Sequence, residues 1–145
     1  MHIRPYEPAD ESALLALWNS CGLIVPWNNP AADIRRKLGV APELFLVGVL
    51  DSRLIASVMA GYDGHRGWIN YLAVAPDLRG NGHGREIIEH AEQLLRERGC
   101  PKINLQVRAT NREVIEFYRR LGFAIDEVLC MGKRLTEDEP FSGAA

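Results

Sequence analysis

The residues best placed to do chemistry lie in one stretch of the 145-residue chain, Leu72-Ala73-Val74-Ala75-Pro76-Asp77-Leu78-Arg79-Gly80-Asn81-Gly82-His83-Gly84-Arg85. A strand pattern ends there, three glycines alternate with other residues, and an amphipathic helix pattern begins. That combination builds an anion site. The first N–H groups of a helix have no intrahelical acceptor, and the helix dipole places partial positive charge among them. Glycine lets the backbone approach an oxyanion closely and adopt dihedrals closed to other residues. Arg79 and Arg85 flank the turn and add charge-assisted donors. Phosphate or pyrophosphate is the expected guest.

The spacing excludes two nucleotide-binding patterns. No Lys-Ser or Lys-Thr pair follows these glycines, so this is not a P-loop, and counting from Gly80 and Gly82 puts Arg85 where a dinucleotide fingerprint needs its third glycine. What remains is Arg79-x-x-Gly82-x-Gly84. Further along, Asn111 and Tyr118 are seven residues apart in a helix pattern that closes with Tyr118-x-x-Leu121-Gly122-Phe123. Seven residues are nearly two turns, so both side chains share a face. With these two motifs, in this order, the chain resembles the GNAT superfamily of acyl-CoA-dependent N-acetyltransferases. The alternatives are a glycine-rich surface turn capped by solvated arginines and, for Tyr118, an ordinary core aromatic.

The elements needed to position these residues can be read from periodicity. Ile3 to Tyr6 suits a first strand, and Leu14, Leu17, Trp18 and Cys21 mark one face of a helix stopped by Gly22. Asn29 as N-cap, Pro30 at the first position and Asp33 in the first turn open a second helix. Leu44–Val49 and Leu54–Met59 form a hairpin about Asp51-Ser52, and Trp68–Val74 is the next strand. Ile87, Ile88, Ala91, Leu94 and Leu95 stripe a third helix, and Ile103, Leu105 and Val107 alternate as a fifth strand. Thr110-x-x-Glu113 is a capping box for the last helix, and Val128 to Leu135 is expected as a final strand. The order β-α-α-β-β-β-α-β-α-β predicts a mixed α/β sheet with helices on its faces, which matches the resemblance. One domain over residues 1–136 is expected, with 137–145 a flexible tail.

The resemblance implies roles. The pyrophosphate of acetyl-CoA would sit on the N–H groups of Arg79, Gly80, Asn81, Gly82, His83, Gly84 and Arg85. Its pantetheine arm would pair with the backbone of Leu72 and Val74, where the sheet splays between the fourth and fifth strands. Asn111 would bond the arm or hold the gap. A primary amine would attack the thioester directly in a ternary complex, an N–H near Val74 would stabilise the oxyanion, and Tyr118 would donate to the leaving thiolate. The fourth strand, Trp68-Ile69-Asn70-Tyr71-Leu72-Ala73-Val74, lacks the acid that many of these enzymes use as a base. Tyr71, Asp63 or His65, acting through water, are substitutes, and the alternative is an amine that arrives already neutral. Trp27 is a candidate wall of the acceptor pocket, and Asp63 and Asp33 are candidate partners for an ammonium group, although Asp33 is first explained as a helix first-turn residue.

Composition bounds the partners. Seventeen Lys and Arg against nineteen Asp and Glu give a net charge of -2, with no long-range attraction for nucleic acid or an anionic membrane. Arg35-Arg36-Lys37 points in three directions around a helix. Cys21, Cys100 and Cys130 are odd in number and scattered, which argues against a disulfide framework and for a reducing cytoplasm. Cys100 reads as a small packed residue, and no metal-ligand cluster is evident. A homodimer stays open. Two readings compete with the enzyme: a CoA-binding sensor without turnover and a generic phosphate-binding module.

Overall fold

The computed structural model describes residues 1–142. Strands β1 (His2–Pro5), β2 (Phe45–Leu50), β3 (Arg53–Tyr62), β4 (Gly67–Val74) and β5 (Ile103–Leu105) form one sheet in sequence order. The first four pair antiparallel, and β5 runs parallel to β4. Helices α1 (Glu11–Ser20) and α2 (Pro30–Leu38) separate β1 from β2, α3 (His83–Glu97) separates β4 from β5, and α4 (Arg112–Arg120) follows β5. The chain divides into two compact units: residues 1–104 with the segment from Asp138, and residues 105–137.

In the first unit, α1 and α3 cover opposite faces of the sheet. Trp18 of α1 bonds Ser57 on one face of β3. A Cβ added to Gly67 would meet Leu95 of α3, and Gly67 pairs with Tyr62, on the other face. Leu14 and Trp18 on the first side and Ile87, Ile88 and Ala91 on the second are fully enclosed. Burying each of the leucine and isoleucine side chains contributes about 1.5–3 kcal/mol. The β2–β3 hairpin turns on Asp51 and Ser52, at φ +49 and +65. This two-residue turn matches the twist of the strands although neither residue is glycine. Asn29 caps α2 as expected, accepting from Ala32 N at 3.0 Å. The C-terminal segment is tied to the same helix: Asn29 Nδ2 donates to the Glu139 carbonyl at 2.9 Å, and Arg36 makes a two-point pair with Asp138.

In the second unit two expectations are corrected. Asn111, not Thr110, caps α4, with Val114 N donating to Asn111 Oδ1 at 3.4 Å. Both residue types can cap, and Asn ranks above Thr. The strand expected at Val128–Leu135 is not formed. Val128, Leu129, Met131 and Leu135 are 77–94% exposed, and no strand among the described residues ladders with them. An apolar run without a partner ladder has no backbone bonds to hold it as a strand.

Candidate functional site

β4 departs from regular strand geometry at Tyr71, whose φ is +51. For a bulky aromatic this left-handed conformation costs of order 1–3 kcal/mol and persists only where neighbours enforce it. Several contacts do so. The ring stacks on Trp18, with centroids 4.0 Å apart and planes at 17°. The hydroxyl donates to Asp33 Oδ2 of α2 at 2.6 Å. The Tyr71 carbonyl accepts from Ser57 Oγ at 2.8 Å, and that oxygen accepts from Trp18 Nε1 at 2.9 Å. Burial, and after it the bond to Asp33, hold the phenol above its ordinary range. Tyr71 at neutral pH is therefore a proton donor, which disfavours it as a base acting through water.

The outlier is a β-bulge with a directional consequence. Asn70 pairs with Met59 and Ala73 with Ser57, so two residues of β4, Tyr71 and Leu72, lie opposite Val58 alone. Before the bulge, Gly67 N donates to Lys102 O, so odd-numbered residues turn their backbone toward β5. After it, Ala75 N donates to Ile55 O, so odd-numbered residues face β3 and Val74 faces the outer edge. β5 is three residues long and covers roughly 10 Å, starting near Gly67. The shortness of that ladder is what the expected splay amounts to in the described residues.

Beyond Val74 the chain makes a 3-10 turn over Pro76–Leu78, then passes Gly80 at φ +81 and Gly82 at φ +85 into α3. Nothing lies within 4 Å of a Cβ built on either glycine. The amides of Gly80, Asn81, Gly82, His83 and Gly84 have no acceptor among the described residues, and the first helical bond is Glu86 N to Gly82 O. Asn81 Nδ2 ties the turn by donating to Leu78 O at 2.9 Å. Arg53 anchors it from β3 with a two-point pair to Asp77. The Val74 carbonyl accepts from Arg79 Nε and from Cys21 Sγ, each at 3.4 Å. Arg85 pairs with Glu89 at 3.3 Å. Five consecutive donors without acceptors, three of them on glycines, suit an anion.

In the second unit, Tyr118 of α4 is 8% exposed and lies edge-on to Phe117 and Phe123 at 5.1 and 5.4 Å. Burial raises its pKa to about 12. Its hydroxyl has no hydrogen-bond partner among the described residues.

Other expected residues are placed differently. Asp63 accepts from His65 N and Arg66 N at 2.8 and 2.7 Å and from Trp68 Nε1 at 3.4 Å. Those backbone bonds lower its pKa and make it the organiser of the β3–β4 turn. That turn precedes Gly67, and the span from Gly67 to Val74 matches six residues of β3, Tyr62 back to Ala56, about 20 Å. The structure therefore does not bring Asp63 or His65 to the glycine turn. Trp27, 55% exposed, lies in the loop before α2. Cys100 Sγ donates to Lys102 O and would meet a Cβ at Gly67, so it is packed as expected. All three cysteines are free thiols. No group of three His, Cys, Asp or Glu among the described residues could hold a metal, and no described helix is long and apolar enough to cross a membrane.

Sequence reasoning missed the partners of Tyr71. Trp18 reads as helix face, Ser57 as strand and Asp33 as a first-turn residue; only the register of β3 against β4 and α2 brings them together. The fold defines a class: helices on both faces of a mixed sheet, with a glycine turn feeding a helix from the fourth strand. The acetyltransferase (GNAT) family model matches residues 11–123, and the chain belongs to that family. It is an acetyltransferase, in a family that uses acetyl-CoA. It is 46% identical to "Acetyltransferase SG1711" of Sodalis glossinidius, over 97% of this chain and all of that one. Among solved structures it is similar to a putative acetyltransferase from Agrobacterium tumefaciens, with TM-score 0.76 and 19% identity over 92% of this chain and all of that one. It is also similar to Ard1 from Thermoplasma volcanium, with TM-score 0.75 and 25% identity over 86% and 83% of the two chains.

Proposed function

We propose that this acetyltransferase moves an acetyl group from acetyl-CoA to a primary amine, a small molecule or a protein N-terminus, by direct attack in a ternary complex in the cytoplasm. Residues 1–136 act as one catalytic domain, with no part for metal, nucleic acid or membrane. The observation that carries this reading is the run of acceptor-less amides from Gly80 to Gly84 at the start of α3. They take the pyrophosphate, with Arg79 and Arg85 beside them. Leu72 and Val74 receive the pantetheine amides along the outer edge of β4, and the Asn111 amide group closes on the arm.

As the amine nitrogen bonds the thioester carbon, an amide near Val74 holds the developing oxyanion. The C–S bond then breaks, the thiolate leaves toward Tyr118, and the amine's proton leaves to water. With Tyr118 at about 12 and a thiol near ~8.5, full transfer of the phenolic proton would be uphill by roughly 5 kcal/mol. Tyr118 therefore stabilises the thiolate by a hydrogen bond. Trp27 and Tyr71 border the acceptor.

The test is to titrate acetyl-CoA by calorimetry and then to follow free-thiol release against a panel of amines and peptides. Binding without release from any acceptor would favour a sensor, and equal affinity for CoA and inorganic phosphate a generic anion module. Tyr118→Phe is expected to lower thiol release about 100-fold, with acetyl-CoA affinity within a factor of two or so. Normal turnover would remove Tyr118 from the mechanism.

A further inference from the structure

The glycine turn explains how the pyrophosphate is held; it does not explain why the strand before it presents Val74 outward. That direction is set by the one-residue excess at Tyr71 and Leu72. In an unbulged β4 the parity seen at Gly67 would run on, and Val74 N and O would point at β3. The excess residue needs a left-handed backbone, which tyrosine does not supply by itself. Three elements distant in sequence supply it instead. Trp18 of α1 carries the ring, Asp33 of α2 takes the hydroxyl, and Ser57 of β3 holds the carbonyl while satisfying Trp18. Asp33 is itself fixed by Arg36 at 2.6 Å, and Arg36 by Asp138. No other described strand residue outside the hairpin turn has positive φ without being glycine.

We propose that Tyr71 is a positioning residue for acetyl transfer: clamped by Trp18, Ser57 and Asp33, it keeps the bulge that turns the Val74 backbone to the outer edge of β4. The inference rests on the acetyl-CoA reading of that edge. It gives Asp33 and Ser57 work in cofactor binding through Tyr71, the residue they hold. It also accounts for a fourth strand without an acid, because the residue at the bulge is occupied with geometry.

The experiment compares Tyr71→Ala with Tyr71→Gly by acetyl-CoA calorimetry, with melting temperatures recorded in parallel. Both variants lose the same ring, hydroxyl and clamp contacts, but only glycine takes φ +51 freely. The alanine variant is expected to bind acetyl-CoA about tenfold more weakly than wild type, and the glycine variant to recover at least about threefold of that loss without recovering melting temperature. Tyr71→Phe keeps the stack and loses Asp33. Its affinity should fall about threefold, with the pH profile of thiol release unchanged in shape. If the alanine variant does not fold, Ser57→Ala gives the same reading, because it frees the Tyr71 carbonyl with the ring in place; affinity should again fall about threefold. Wild-type protein that fails to bind acetyl-CoA overturns the cofactor reading and the inference together. Wild type that binds, with alanine and glycine variants equally affected or Ser57→Ala unaffected, overturns the inference alone. A Tyr71→Phe pH profile displaced from wild type would make the phenol a proton carrier and end the positioning role.

Discussion

Two neighbouring stretches hold left-handed backbone by opposite means. At Gly80 and Gly82 the conformation is free: no side chain resists it, no protein atom lies near a missing Cβ, and the amides are left with nothing to bond. At Tyr71 it is enforced by a stacked indole, a buried serine and a carboxylate from another helix. On the proposed reading the first stretch is open for a ligand to complete. The second is closed because its geometry must not depend on the ligand. Strain sits where neighbours over-determine it, and permissiveness where the backbone amides are left without acceptors.

The sharpest way to break this contrast is Gly82→Val. A β-branched residue at φ +85 is strained, and its methyl groups would stand among the acceptor-less amides proposed to take the pyrophosphate. Acetyl-CoA affinity by calorimetry should fall about 100-fold, and the empty space around Gly82 means that the protein itself has no clash to relieve. Unchanged affinity would place the pyrophosphate elsewhere.

At the clamp, the next largest effect is on stability. Ser57→Ala leaves the Trp18 Nε1–H, in a fully buried residue, without its acceptor, and the Tyr71 carbonyl without its donor. A loss of about 1–3 kcal/mol in urea denaturation is expected. The glycine turn offers no equivalent, because no comparable buried side-chain bond holds it.

The same contrast separates what the sequence made legible from what it did not. The glycine turn is written in consecutive residues, as are the helix that carries Tyr118 and the cap at Asn29; each follows from a local rule, whereas the cap role of Asn111 does not follow from its seven-residue spacing to Tyr118. Tyr71 carries no local mark, since an aromatic in a β-rich run reads as ordinary strand. Its partners lie 14 residues away at Ser57, 38 at Asp33 and 53 at Trp18, and only tertiary register joins them. Val128–Leu135 failed for the converse reason: an apolar run is a local signal, but a strand needs a neighbour.

Alkaline pH reads the clamp and spares the turn. Tyr71 has a folded pKa raised above its unfolded value near ~10, by burial first and by the bond to Asp33 second. A raised group contributes stability that is complete below the unfolded pKa and lost as pH rises through the folded one. Tyr118, at about 12, behaves alike. Stability from urea denaturation should therefore decline above roughly pH 10, and Tyr71→Phe should flatten part of that decline. An identical alkaline limb in the variant would mean that the phenol is not held as described.

The smallest effect sharpens the contrast most directly, because the molecule contains a third left-handed site that is neither glycine nor clamped. Asp51 and Ser52 sit at φ +49 and +65 in the hairpin, exposed. If clamping is what makes a left-handed side chain tolerable at Tyr71, an unclamped one should still carry its strain, and glycine should relieve it. Ser52→Gly converts the turn to Asp-Gly, a favoured sequence for two left-handed residues. The gain is offset in part by the larger entropy glycine loses on folding, leaving roughly 0.5 kcal/mol of stabilisation and a melting temperature a few degrees higher. Tyr71→Gly, by contrast, removes the clamp along with the strain and should be destabilising. If both glycine substitutions shift melting in the same direction, the difference between an enforced and a merely tolerated conformation disappears.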